Sequence, residues 1–328
     1  MLLFNVSRAL LRNSQRLGVG RHRDVHRWVA PTLREFRRRR EKMGPEAALP
    51  RSSYTDWNYS AEIFAFGKRL HETFDAGVLQ QAFTHRSFIE QEKRKQTAVG
   101  IDDPVLGVSD NQELIAQGHT LIQQYVEAFL LTALPRLPRH FVSSIRDALT
   151  SEMQLAHVSS HLGTKDIILS ADFPVGEPLL ASTLKAIVAA LHRSSGDERC
   201  FLFVRDFLCT TLHQRDLFEY LSITDPLATL REYCKEKGLA EPEPRLIGSA
   251  GQNTLLAVHN VGIYCDRKLL GTGFGEDQTI AVQEAARDCL RQLFGTELHM
   301  KPIDFNLQLS DCTSHLTAQR DTQQAANQ

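Results

Sequence analysis

The sequence predicts an all-α body followed by a small α+β unit with the element order α-β-β-β-α, and two observations carry that division. From about residue 58 to 222, apolar residues recur at intervals of three and four, the spacing of amphipathic helices, and no strand alternation is convincing. From Thr224 the pattern changes: one helical stretch, three extended segments, then helical spacing again. Charge sets off a third region. Residues 1 to 42 hold eleven Arg and one Lys against Asp24, Glu35 and Glu41, a net of +9, so the formal net charge of −1 for the whole chain leaves about −10 on the remainder.

The N-terminal stretch from Met1 to Arg16 alternates apolar residues with Arg at helical spacing and has no acid before Asp24. An Arg-rich, amphipathic, acid-poor start is the composition of a mitochondrial presequence, and the apolar run Leu2 to Val6 is too short for a secretory signal. Leu33 to Lys42, with Arg37, Arg38, Arg39 and Arg40, is denser in charge. It reads as the end of the targeting segment, as a mature basic arm that neutralises phosphates, or as a solvated helical face.

The body begins at Glu62-Ile63-Phe64-Ala65-Phe66-Gly67-Lys68-Arg69-Leu70. A polar loop is expected from Gln91 to Asp110, a second break from Pro135 to Arg139, and renewed helix from Phe141 to His161. Ser194-Ser195-Gly196 reads as a helix stop, with Cys200 to Tyr220 as the last helix of the block. In the second unit, Asp225-Pro226-Leu227 opens a helix that runs to Lys237 and stops at Gly238. Strands are expected at Glu243 to Gly248, Thr254 to Cys265 and Lys268 to Gly273, and a helix at Thr279 to Phe294 with Ala281, Ala285, Ala286 and Leu290 on its packing side. The tail after Glu297 is rich in Gln, Thr, Ser and Asp and reads as disordered.

At 328 residues and 42% apolar content, the chain has length for two domains with real cores plus tails. It contains no run of about 18 apolar residues, so no membrane-spanning helix is expected. The six cysteines, Cys200, Cys209, Cys234, Cys265, Cys289 and Cys312, show no C-x-x-C pair and no zinc spacing. They read as reduced core thiols of an intracellular compartment.

Three motifs in the body carry a family resemblance. Asn111-Gln112-Glu113-Leu114-Ile115-Ala116-Gln117-Gly118-His119-Thr120-Leu121 resembles the signature helix of ribonuclease III, N-E-R-L-E-F-L-G-D-A-V-L. Upstream, Ala82-Phe83-Thr84-His85-Arg86-Ser87 resembles A-L-T-H-R-S; downstream, Ala181 to Ala190 resembles A-D-T-F-E-A-L-I-G-A. In this register the family's metal-binding carboxylates are replaced by Ile115, His119, Ser182 and Lys185. Positions 115 and 119, and 182 and 185, each share a helical face, so both pairs suit one pocket. Mg²⁺, the hard cation that polarises a phosphate in such chemistry, takes carboxylate and water oxygens. Ile offers none, His suits softer metals, and an ammonium repels a divalent ion. Asp110 and Glu113 are near in sequence, but Glu113 lies about 200° around the helix axis from position 115. The resemblance therefore implies the fold without catalytic residues, metal site or cofactor.

The second unit resembles a double-stranded RNA-binding domain, including Gly271-x-Gly273-x-Gly275, placed in the turn before its last helix, and such domains commonly follow ribonuclease III domains. The lysines with which that family grips phosphates are replaced by Gln278, Thr279 and Val282, preceded by Glu276 and Asp277, and the loop expected to probe the minor groove reads Ser249-Ala250-Gly251-Gln252-Asn253. Residues 225 to 296 carry a net charge of −2, which disfavours general duplex binding. Local RNA contacts are expected from Lys235, Lys237, Arg267 and Lys268, and from Arg136, Arg139 and Arg146 near the Pro135 break.

With the presequence, and with Trp57-Asn58-Tyr59, Ala61-Glu62-Ile63, Phe66-Gly67 and Val261-Gly262-x-Tyr264-Cys265-Asp266, the whole is similar to the ribonuclease III-like proteins of mitochondrial large ribosomal subunits. That resemblance implies domains at 1–45 (presequence and arm), 55–222, 223–296 and 297–328, and a matrix location. Its implied partners are large-subunit mitochondrial rRNA and neighbouring ribosomal proteins. An active mitochondrial double-stranded RNA endonuclease and a non-ribosomal RNA-stability factor are the competing readings. Whether the family's dimer interface persists is open at this level.

Overall fold

Short polar side chains start the helices of the body. The Asn58 side chain accepts from Ala61 N–H, the Asp75 carboxylate from Gly77 N–H, and the Ser151 hydroxyl from Gln154 N–H. These caps belong to a computed structural model that describes residues 23–44, 50–101, 107–213, 215–252, 254–296 and 303–316. The chain divides into two compact units, Met1–Leu49 and Pro50–Gln328.

Within the first unit, the described residues form helix α1 (Arg23–Met43). Ion pairs one turn apart, Arg37 to Glu41 at 2.9 Å and Arg39 to Glu35 at 3.3 Å, lie along its exposed surface. The expected presequence from Met1 to Arg16 falls outside the described residues.

The second unit starts with α2 (Tyr59–Arg69), α3 (Ala76–Phe83), α4 (Arg86–Ala98), α5 (Gln112–Ala133), α6 (Arg139–Leu149), α7 (Glu152–His161) and α8 (Glu177–Phe207). Its centre is α5, which buries Leu114, Gly118, Ile122, Tyr125, Val126, Phe129 and Leu130, residues three or four apart on one stripe, and packs along α8. Two expectations need correcting here. The segment from Gln91 continues as helix to Ala98, because Glu92, Lys93, Arg94 and Lys95 are good helix formers and Arg86–Glu90 and Lys95–Glu92 pair along the turns. Gly196 does interrupt α8 as expected, with φ 84° and ψ −176°, but the helix that follows ends at Phe207 rather than Tyr220 and gives way to short 3₁₀ turns at Cys209–Leu212 and Leu217–Tyr220.

The α+β part comprises α9 (Pro226–Glu236), β1 (Glu243–Ala250), β2 (Val258–Cys265), β3 (Lys268–Gly275) and α10 (Gln278–Phe294), the strands forming an antiparallel sheet in the order β1-β2-β3. Asp225 caps α9 through bonds from Leu227 and Ala228 N–H, and the backbone donor at Ala228 heads the interactions that hold its carboxyl below the usual range. The Gly271-x-Gly273-x-Gly275 run is β3 itself, not a turn. All three glycines face α10: a methyl on Gly273 would lie 2.1 Å from Ala285 N, and one on Gly275 2.5 Å from Ala281 N. The missing Cβ atoms let the helix backbone rest on the strand, beside the buried Val261 and Ile263 of β2. Ser249 and Ala250, placed by the sequence in a loop, pair with His259 and Val258, so the connection to β2 starts at Gly251.

The C-terminal tail is the largest departure. Residues 303–316 are ordered and end in helix α11 (309–316). Phe305 stacks on Phe129 with ring centres 5.9 Å apart, Arg205 donates to the Leu307 carbonyl at 2.8 Å, and Cys312 and Leu316 are buried. Polar composition concealed a few apolar residues that fill the groove beside α5. The α+β part meets the helical body as well. Arg291 pairs with Asp216 at 2.7 Å and lies over the Phe218 ring, while Phe294 packs against Phe141 with ring centres 5.3 Å apart.

Candidate metal pocket and nucleic-acid surfaces

The four positions at which the resemblance expects carboxylates lie on α5 and α8, which cross here. Gly118 is the contact point, since a methyl there would lie 1.8 Å from the Lys185 carbonyl oxygen. Ile115 packs onto a small apolar cluster of Ala82, Leu114, Ala186, Ala189 and Ala190. The Ser182 hydroxyl donates to the Leu179 carbonyl at 2.9 Å, which turns it to its own helix backbone. Lys185 is half-buried, and no described residue pairs with its ammonium. Partial burial, and after it the Lys185 charge, hold the His119 imidazole below its ordinary pKa.

The nearest carboxylate on α5 is held elsewhere. Glu113 accepts from Arg193 at 2.6 Å and from Gln117 at 3.1 Å, and Arg193 also donates to Gln117. Arg193 was not singled out from sequence; eight residues beyond Lys185, it is simply a basic residue on a long helix. Asp110 offers its backbone carbonyl to Gln81 at 2.9 Å. The neighbouring Asn111 is buried and donates to the Ala82 carbonyl, tying the start of α5 to α3. The donor set is thus an alkyl group, an imidazole, a hydroxyl bound to its own helix and an ammonium. Such a set does not fit Mg²⁺.

The candidate RNA contacts fall in three places. Arg37 to Arg40 are exposed on α1. Arg136 and Arg139 are exposed at the break before α6, with Arg136 lying along Gly295. Arg146 differs from them: it is bound to Glu127 and Asp147, both at 2.8 Å, and these acids hold its guanidinium protonated against burial. Lys235, Lys237, Arg267 and Lys268 gather at one end of the α+β part. There the Cys265 thiol donates to the Ala240 carbonyl at 3.1 Å and joins the end of α9 to the β2-β3 turn. Asp266 and Arg267 make that turn with φ of 49° and 65°.

An α5–α8 crossing at a glycine with two pairs of inward positions, followed by an α-β-β-β-α unit on a glycine-lined strand, defines a ribonuclease III-like helical domain with a double-stranded RNA-binding-like domain. Residues 58–191 match the family model described as the endonuclease domain of large ribosomal subunit protein mL44, and residues 221–327 match the MRPL44 dsRNA-binding domain. The chain belongs to this mL44 family. The large ribosomal subunit protein mL44 of Caenorhabditis elegans is 29% identical over 275 residues, covering 82% of this chain and 68% of the relative. Ribonuclease 3 of Symbiobacterium thermophilum is 28% identical over 228 residues, covering 67% of this chain and 89% of that enzyme. Among solved structures, the nuclease domain of ribonuclease III from Campylobacter jejuni aligns with 22% identity and a TM-score of 0.38, over 45% of this chain and 96% of its own. The second family match extends to residue 327, in keeping with the packed segment 303–316.

Proposed function

We propose that this chain is a non-catalytic component of the large ribosomal subunit of mitochondria, located in the matrix. There it contacts large-subunit rRNA and neighbouring ribosomal proteins and supports mitochondrial translation. One observation carries the reading: all four positions at which the resemblance expects metal-binding carboxylates hold Ile115, His119, Ser182 and Lys185. An ammonium repels a divalent cation, and the other three side chains supply no carboxylate oxygen.

The remaining parts take their roles from charge. Arg37 to Arg40, Arg136 and Arg139 are solvent-exposed cations and suit phosphate contact. Lys235, Lys237, Arg267 and Lys268 offer a second such surface. The proposed division is a presequence and basic arm at 1–45, a helical body at 55–222 and an RNA-binding-like part at 223–296, to which the packed residues 303–316 add a strap. Sedimentation of mitochondrial lysate on a sucrose gradient tests the reading. The chain is expected to travel with large-subunit particles and to leave them when they are dissociated; recovery only as a free protein or with a non-ribosomal complex would contradict it.

A further inference from the structure

The two ends of the α+β part have opposite surface chemistry. At the end where β1 turns into β2 and β3 leads into α10, Leu255 and Leu256 are almost wholly exposed, and Val258, Phe274 and Ile280 are exposed as well. Strand register places them together: Ala250 pairs with Val258 to close the loop, His259 pairs with Gly275, and Gly275 backs onto the first turn of α10 at Ile280 and Ala281. Glu276 and Asp277 lie beside them, exposed and without a partner among the described residues. No Lys or Arg occurs from Ser249 to Asp266 or from Leu269 to Ala286.

A loop of this length has no folding need for two solvated leucines, and nothing in the core covers them. Clustered exposed apolar residues beside charged ones mark interaction sites. The absence of Lys and Arg from these two segments, with two free carboxylates at the rim, disfavours phosphate and favours a positively charged counterpart. We infer that this end of the domain is a protein-docking surface. Its occupant is a basic protein partner with an apolar pocket that receives Leu255 and Leu256, rimmed by Lys or Arg facing Glu276 and Asp277. The inference rests on the reading of the chain as part of an RNA–protein particle and says which surface faces protein.

The test places a benzophenone amino acid at Leu256 or at Ile280 in the full chain, irradiates intact mitochondria, and identifies the crosslinked peptide across gradient fractions. Both positions are expected to capture one segment of a single protein, in which apolar residues are flanked by Lys or Arg. Adding Leu255→Ser to the Ile280 probe, together with Leu256→Ser, is expected to cut the yield by about tenfold, as loss of anchoring side chains does. These residues are solvent-exposed, so the fold is not at risk. Crosslinks to rRNA, to this chain itself or to an acidic segment would overturn the inference, as would an absent crosslink or a yield unmoved by the serine pair. An rRNA crosslink in large-subunit fractions would refute the docking surface and leave the ribosomal reading standing. Capture of the basic segment in other fractions would do the reverse.

Discussion

The backbone of Gly118 lies against the carbonyl of Lys185 so closely that a methyl group on Gly118 would sit 1.8 Å from that oxygen. Lys185 occupies one of the positions at which the resemblance expects a carboxylate, and its backbone forms the helix crossing. The crossing is therefore a packing requirement in its own right. Gly118→Ala should destabilise the protein by about 1–3 kcal/mol, the range for overpacking, although alanine alone favours a helix by ~1 kcal/mol over glycine. Urea unfolding followed by circular dichroism reads the change.

His119 reports on the charge at this crossing. Its folded pKa lies below the unfolded value because burial and the Lys185 ammonium oppose protonation. Between the two values the unfolded chain binds more protons, so stability contributed here is present above the ordinary histidine range and falls as pH drops through that window. Lys185→Met should move the His119 titration upward toward the ordinary value, measured by NMR of the imidazole. An unmoved titration would show that the ammonium does not face the ring.

Restoring the carboxylates is a gain-of-binding experiment. A variant with Ile115→Glu, His119→Asp, Ser182→Asp and Lys185→Glu should show saturable Mn²⁺ or Mg²⁺ binding by calorimetry, where the natural sequence shows none. Four acids converging without a metal repel one another, so the variant's melting temperature should rise when the metal is added.

The glycine-lined strand supplies a second packing test. Gly273→Ala would drive a methyl to within 2.1 Å of Ala285 N, and no side-chain adjustment relieves a clash with backbone. Hydrogen exchange across β2 and α10 should rise sharply in this variant, while α5 and α8 keep their protection.

The tail should carry stability rather than hang free. Leu316→Ala removes a buried side chain from the groove that also holds Cys312 and Phe305, and should cost about 2–4 kcal/mol. A loss near zero would return the tail to the solvated role its composition suggested.

Much of this was legible from residue spacing. The stripe Leu114, Gly118, Ile122, Tyr125, Phe129 predicts α5 and its buried face, and the shift to extended segments after Thr224 predicts the sheet, because both signals are periodic and local. What escaped depends on tertiary partners. The stop at Gly196 is legible, but not that the next helix ends at Phe207; Gly271, Gly273 and Gly275 resemble a turn until α10 is laid upon them. The tail looked disordered because Phe305, Cys312 and Leu316 are scattered among polar residues and find their groove only in the folded body. Arg146 counted as an exposed cation until Glu127, nineteen residues earlier, was found beside it. Leu255 and Leu256 read as strand but lie in the loop before β2; nothing local distinguishes a leucine bound for the core from one left in solvent.

The central claim is that a nuclease frame persists here without its metal chemistry. Incubating the pure full-length chain with duplex RNA and Mg²⁺ tests it most directly. The account predicts no cleavage above a metal-free control, and no effect of Glu113→Gln or Asp110→Asn on that baseline. Mg²⁺-dependent cleavage by the natural sequence, abolished by either substitution, would contradict it.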